Sequence, residues 1–184
     1  MGIISVIIVL LCICVDNMVS ANMSAVQLNK DNKSVFSVKM ALFFTGFNVV
    51  LFGLGYLLSL ILHSWVYFAH NWVAFAFLLL LGIKLMLESI EKSPSFGDVD
   101  VSNTGKLIKV STLIGMNSLL VGYALETMGR AFFPEVLLLL IFTFLITLLG
   151  AHLGGMHNKN LLSKKIELVA GIVLIIMAIR LIVI

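Results

Sequence analysis

The chain has 184 residues, of which 61% are hydrophobic and 11% charged, with a formal net charge of +3. Soluble domains carry about 25% charged residues, so this composition and a mean hydropathy of +1.15 exclude a soluble globular protein and place the chain in a bilayer. The basic excess lies beside apolar runs rather than in a patch, which excludes a nucleic-acid partner and assigns the positive charges to membrane orientation.

A membrane-spanning helix needs about 20 apolar residues. The first runs from about Gly2 to Ala25; no Lys or Arg precedes it, so it reads as a retained helix rather than a signal peptide. Cys12 and Cys14 lie inside it and read as small apolar packing residues. Met40 to Ile83 contains no Lys, Arg, Asp or Glu, which is room for two spans. His63, Trp65, Tyr67, His70 and Trp72 mark an interfacial turn between them. The second helix is therefore expected over about Val38–Leu62 and the third over Asn71–Ile90. Glu91–Gly105, with Pro94, Gly97, Asp98 and Asp100, reads as a flexible loop. The fourth helix is expected over Lys106–Met128. Arg130–Pro134 forms a turn, the fifth helix covers Glu135–Gly155, and the sixth begins near Lys164. The expected fold is an all-α integral membrane protein with six transmembrane helices.

Basic residues set the orientation. Lys30, Lys33 and Lys39 flank the first loop, Lys92, Lys106 and Lys109 the third, and Lys159, Lys164 and Lys165 the fifth. The second and fourth loops hold Arg130 alone. By the positive-inside rule both termini lie outside. Lys84 and Arg180 stand within helices and are expected to snorkel or pair; Glu88, four residues after Lys84, is on the same face.

The two halves align. Asp16-Asn17-Met18 matches Asn117-Ser118-Leu119, Asn48 and Gly55 match Thr143 and Gly150, and Asn71 to Ala74 matches Glu167 to Ala170, with Lys84 on Arg180. Three helices per half force the second half to insert upside down. The expected organisation is two inverted three-helix repeats, 1–92 and 106–184, joined by a cytoplasmic linker at 93–105. Transporters of this architecture bind substrate near the midplane.

From Met1 to Asn29 the one charged side chain is Asp16. A charge at mid-bilayer costs about 2.5–3.5 kcal/mol on insertion scales, and it persists where it meets a cavity, a partner or a cation. Asn17, Met18 and Ser20 surround it in sequence, and Met116 flanks its counterpart Asn117. The two methionines are thioether ligands or core packing; Asn17 and Asn22 are pathway residues or helix-to-helix hydrogen bonds. Glu126 is a coupling-proton relay or an interfacial carboxylate beside Arg130. His152 and His157 lack an acid or Cys at metal-ligand spacing. The glycines of the second and fifth helices mark close helix approach, or breaks at Gly53–Gly55 and Gly150–Gly155. No nucleophile–base pair, phosphate loop or redox motif argues for an enzyme.

The segment Leu162-Ser163-Lys164-Lys165-Ile166-Glu167-Leu168-Val169-Ala170-Gly171 resembles the Gly-Lys-Lys-Ala-Glu stretch leading into the last helix of the MntP-type manganese efflux pumps. The run His70-Asn71-Trp72-Val73-Ala74-Phe75, continuing to Leu81-Gly82-Ile83-Lys84, is similar to that family's third helix. These are bacterial inner-membrane exporters in the wider group of lysine exporters and TerC proteins, and Asp16-Asn17 resembles the Asp-Asn pair of the latter. The resemblance implies carboxylates in the first, second and fourth helices. This chain keeps Asp16 and has amides at Asn48 and Asn117.

The implied ligand set is Asp16, Asn48, Asn117 and Thr143, with Asn17, Met18, Ser20 and Met116 along the pathway and Asp16 and Glu126 in coupling. Mn²⁺ accepts carboxylate, amide and hydroxyl oxygen. The expected function is secondary export of a small cation, Mn²⁺ first, by alternating access around Asp16 in the bacterial plasma membrane. No cofactor is held tightly. The expected partners are the lipid bilayer and the cation, with a homo-oligomer left open. Replacement of two family carboxylates keeps two alternatives open: a non-transporting scaffold or sensor, and an exporter of a monovalent or non-metal substrate.

Overall fold

A computed structural model describes residues 3–26, 33–63, 70–90, 104–153 and 160–183. Six helices account for nearly all of them: α1 (Ile3–Val26), α2 (Lys33–His63), α3 (His70–Ile90), α4 (Thr104–Thr127), α5 (Phe132–Leu153) and α6 (Asn160–Val183). The protein is thus all-α. Helices α1 to α5 are each long and apolar enough to cross a membrane. Helix α6 is as long as α1 but carries Lys164, Lys165, Glu167 and Arg180. The outward faces are greasy, as lipid requires: Ile61, Trp72, Leu87, Ile90 and Phe133 are all exposed.

Helix ends exceed the apolar runs where polar residues still satisfy helical geometry. Helix α2 begins at Lys33 rather than near Val38. Helix α5 begins at Phe132, so Pro134 falls in its first turn, where the missing N–H has no intrahelical acceptor to lose. The α4–α5 turn is tight. Gly129 adopts φ 68°, its N–H donates to Glu126 O at 2.7 Å, and Arg130 N–H donates to Leu125 O at 3.3 Å. That pair of bonds around a left-handed glycine closes the helix C-terminus. Most of the Glu91–Gly105 loop, most of the His63–Trp72 turn, and Gly154, Gly155, His157, Lys30, Lys92 and Lys159 lie outside the described residues.

Packing follows a regular scheme. Helices α2 and α4 run parallel, with Lys39 bonded to Thr104 at one end and Ser59 to Glu126 at the other. Helices α1 and α5 run parallel, through Cys14 with Thr143 and Met18 against Gly150. Helices α3 and α6 cross antiparallel at Gly82 and Gly171. Exchanging α1, α2 and α3 for α4, α5 and α6 turns the α2–α4 pair into the α1–α5 pair and returns α3–α6 to itself.

Glycines make the close approaches on which this scheme depends, Gly55, Gly122 and Gly150 the tightest of them. A Cβ on Gly55 would strike the backbone of Leu119, and one on Gly150 would strike the backbone of Met18. Small residues let helices touch in this way where lipid supplies no hydrophobic drive. Both helices continue through these positions, so glycine here serves approach and not a break. Gly46 has no atom near enough for such a role, and Gly53 meets only the ring of Phe132.

The apolar core falls into two clusters. The larger holds Leu10, Ile13, Phe52, Leu78, Leu81, Tyr123, Leu125 and Leu139 among others. The smaller holds Ala21, Ala25, Met40, Phe44, Leu107, Val110, Ile114 and Ala151. In α1 and α5, and again in α2 and α4, the two clusters lie on opposite sides of a belt of buried polar residues.

Candidate ion site

That belt contains Asp16, Asn17 and Ser20 of α1, Asn48 of α2, Asn117 and Ser118 of α4, and Thr143 and Thr147 of α5, each buried. Lipid offers none of these groups a hydrogen bond, so they turn inward, and Asp16, Asn17, Asn48, Asn117 and Ser118 bond among themselves. Neighbours on a helix diverge by about 100°, so Asp16 and Asn17 address different partners. Asn117 Nδ2 donates to Asp16 Oδ2. Asn17 Oδ1 instead accepts from Asn48 Nδ2 at 3.1 Å, and Ser118 donates to Asn48 Oδ1. Asn48 also donates to Phe44 O at 2.7 Å, which ties its amide to its own helix.

The expected ligands are therefore divided. Asp16 and Asn117 touch directly, across the two places where the half-chains align. Asn48 sits one residue along, on Asn17 and Ser118. Thr143 lies against Cys14 at 3.5 Å, two residues before Asp16 on α1 and so on a different face of that helix. Ser20 is buried one turn further along α1, and Met18 is half-buried. Met116 is 55% exposed and faces outward, away from the belt. Cys12 and Cys14 are free and buried.

Three charged residues absent from the expected ligand set complete the site. Lys84 of α3 donates to Asn117 Oδ1 at 3.0 Å and stands 3.6 Å from Asp16 Oδ2. It also pairs with Glu88 at 3.4 Å, one turn further along α3, the pairing that their spacing implied. Oxygens of Asp16, Glu88 and Glu167 all lie within 4.8 Å of one another. From the sequence a single carboxylate is expected here, because Glu88 and Glu167 come from helices α3 and α6. Each had a simpler role available, as the partner of Lys84 or part of a basic helix start. The signal that could have found them was the cost of a charge within an apolar span, the same argument that singled out Asp16.

Three carboxylates against one ammonium leave a formal charge of −2. This replaces the count of one carboxylate drawn from the sequence. The alignment of Lys84 with Arg180 is also not matched by their contacts. Lys84 reaches Asn117, whereas Arg180 reaches Ser5, eleven residues short of the Asp16 that the alignment would require. Gly82 and Gly171 correspond better. Gly82 lies against Ile175, and Gly171 against Met86, a reciprocal pair that a common offset between α3 and α6 reproduces.

Glu126 is remote from this cluster, nine residues or about 13 Å along α4 from Asn117. It accepts a hydrogen bond from Ser59 at 2.6 Å. Tyr56 nearby donates to Arg130 O at 2.9 Å, and Glu135 is buried on α5. Access to the Asp16 cluster is uneven: Lys84 is 36% and Glu88 19% exposed, whereas Asp16 is 2%.

The family described as "Putative manganese efflux pump" matches residues 31–182 of this chain. A "Putative manganese efflux pump MntP" of Crocosphaera subtropica is 26% identical over 151 residues, covering 82% of this chain and 78% of the relative. One from Desulfitobacterium hafniense is 28% identical over 139 residues, covering 76% and 72%. A "Putative manganese efflux pump MntP 2" of Clostridium botulinum is 22% identical over 190 residues and covers 98% and 94%. No solved structure matches the chain. With a match across most of its length and a helical membrane fold, the chain belongs to the MntP family of manganese efflux pumps.

Proposed function

We propose that this protein exports a divalent cation, Mn²⁺ foremost, from the bacterial cytoplasm by alternating access at the Asp16 cluster. The observation that carries this reading is the convergence of Asp16, Glu88 and Glu167 with Lys84 in a bilayer-spanning bundle. A formal charge of −2 is neutralised by one dication and overfilled by none. Carboxylate and amide oxygens from Asp16, Glu88, Glu167 and Asn117 suit a hard ion such as Mn²⁺. Asn48, Asn17, Ser118 and Thr143 then hold the helices that present these ligands. The names carried by the relatives favour manganese over a monovalent ion.

The rest of the cycle belongs to the same proposal, and the fold supports it. Helix α6 is the sixth span, and both termini lie outside. The reciprocal helix pairs and the paired contacts of Gly55 and Gly150 support two inverted repeats. The two apolar clusters are the gates on either side of the belt, opened in turn as one repeat rocks against the other. Asp16 carries the cation outward and a proton back, and Glu126 belongs to the outer gate. A scaffold that had lost transport has no use for two buried acids and a half-buried third, each costly in a membrane.

The test is ⁵⁴Mn²⁺ uptake by inside-out vesicles, for wild type and Asp16→Asn, against a panel of mono- and divalent cations. We expect Mn²⁺-selective uptake that falls to background in the mutant, with the mutant present at wild-type level in the membrane. Absence of flux for every cation with folded wild type would overturn the export reading in favour of a scaffold.

A further inference from the structure

We propose that Lys84 is a tethered counter-cation of the transport site: the exported ion displaces its ammonium from Asp16, and the ammonium returns when the ion leaves. The inference rests on Asp16 as the transport site. Lys84 Nζ lies 3.0 Å from Asn117 Oδ1, 3.6 Å from Asp16 Oδ2 and 3.4 Å from Glu88 Oε1. Those oxygens come from three helices and belong to the donor set a metal ion would use. A cation of the protein's own thus sits among the metal's ligands.

The arrangement suits release. The short contact of Lys84 is to a neutral amide, and its contacts to the two carboxylates are longer. Asp16 is almost sealed, while Lys84 is a third exposed and Glu88 is partly so. A flexible four-carbon stem lets the ammonium swing away from Asp16 without moving α3, keeping Glu88 as its partner at the exposed side.

The arrangement also meets a need. A carrier that returns without its metal must carry three acids through a closed state; one returning proton neutralises only one of them, and unpaired buried charges oppose that step. An ammonium on a tether supplies part of the missing charge, and it cannot leave the protein. The same residue competes with the ion for Asp16, so it lowers affinity while speeding the return. Removing it should therefore separate binding from turnover.

The primary experiment labels purified wild-type protein with an amine-reactive acetylating reagent, with and without Mn²⁺. Lys84 modification is read by mass spectrometry, and Mn²⁺ binding by equilibrium dialysis on the same sample. We expect Lys84 to react several-fold faster with Mn²⁺ bound. Binding with unchanged or slower Lys84 labelling overturns the tethered-cation role and leaves export standing. No binding overturns both. As a second arm, Lys84→Met should bind Mn²⁺ several-fold more tightly yet transport more slowly, with Lys84→Arg nearer wild type in both. A folded Lys84→Met that loses affinity and flux together would assign Lys84 a structural role instead.

Discussion

At the scale of single residues, the site is governed by how many charges can be kept in a bilayer at once. Asp16 alone would be a cost; with Glu88, Glu167 and Lys84 it becomes a cluster of formal charge −2, which under the proposed function is the complement of one dication. Each acid should then matter for binding. Glu88→Gln and Glu167→Gln are each expected to weaken Mn²⁺ binding by at least about tenfold, since even residues that only support metal ligands cost that much. Equilibrium dialysis on the purified variants measures it, and wild-type affinity in both would remove those residues from the site. Met116 gives the contrast. It faces outward at 55% exposure, so Met116→Leu should leave Mn²⁺ flux within about twofold of wild type, as expected of a volume-conserving change. A larger loss would restore the thioether to the pathway.

At the scale of helices, close approach decides which sequence features are structural. Gly55 and Gly150 let α2 meet α4 and α5 meet α1 backbone to backbone. A methyl group at either position has no flexible neighbour to displace, so Gly150→Ala should destabilise the protein by about 1–3 kcal/mol. Gly46, with open space around it, should tolerate Ala and gain up to about 1 kcal/mol from helix propensity. Thermal unfolding of both variants in one detergent checks the pair, and equal effects would refute the packing argument. Helix existence was readable from apolar run length. Helix ends were less so: α2 and α5 extend beyond the apolar runs through Lys33 and Pro134, because first-turn residues answer to hydrogen-bond geometry and not to hydropathy.

At the scale of the whole molecule, topology links the site to direction of transport. If both termini lie outside, Ala131→Cys should be labelled by an impermeant thiol reagent from outside intact cells and Lys106→Cys only after permeabilisation. Both residues are exposed, and Cys12 and Cys14 are buried enough to give little background. The opposite pattern would invert the export direction. The membrane class, the helices, the alternation of basic loops and the lone charge of the first helix at Asp16 are legible in the sequence, because these depend on local composition and on the transfer cost of individual residues. The sequence also aligns Asp16 with Asn117, which prove to be in direct contact. Helix packing, and not the order of residues along each helix, brings Lys84, Glu88 and Glu167 to Asp16, bonds Asn48 to Asn17 instead of Asp16, and turns Met116 away. Which face of an almost uniformly apolar helix points inward is set by its neighbours, since lipid and protein interior are equally hospitable to Leu and Ile. Hydropathy patterning therefore carries little of that information, and the charge balance of the site becomes visible only once the helices are packed.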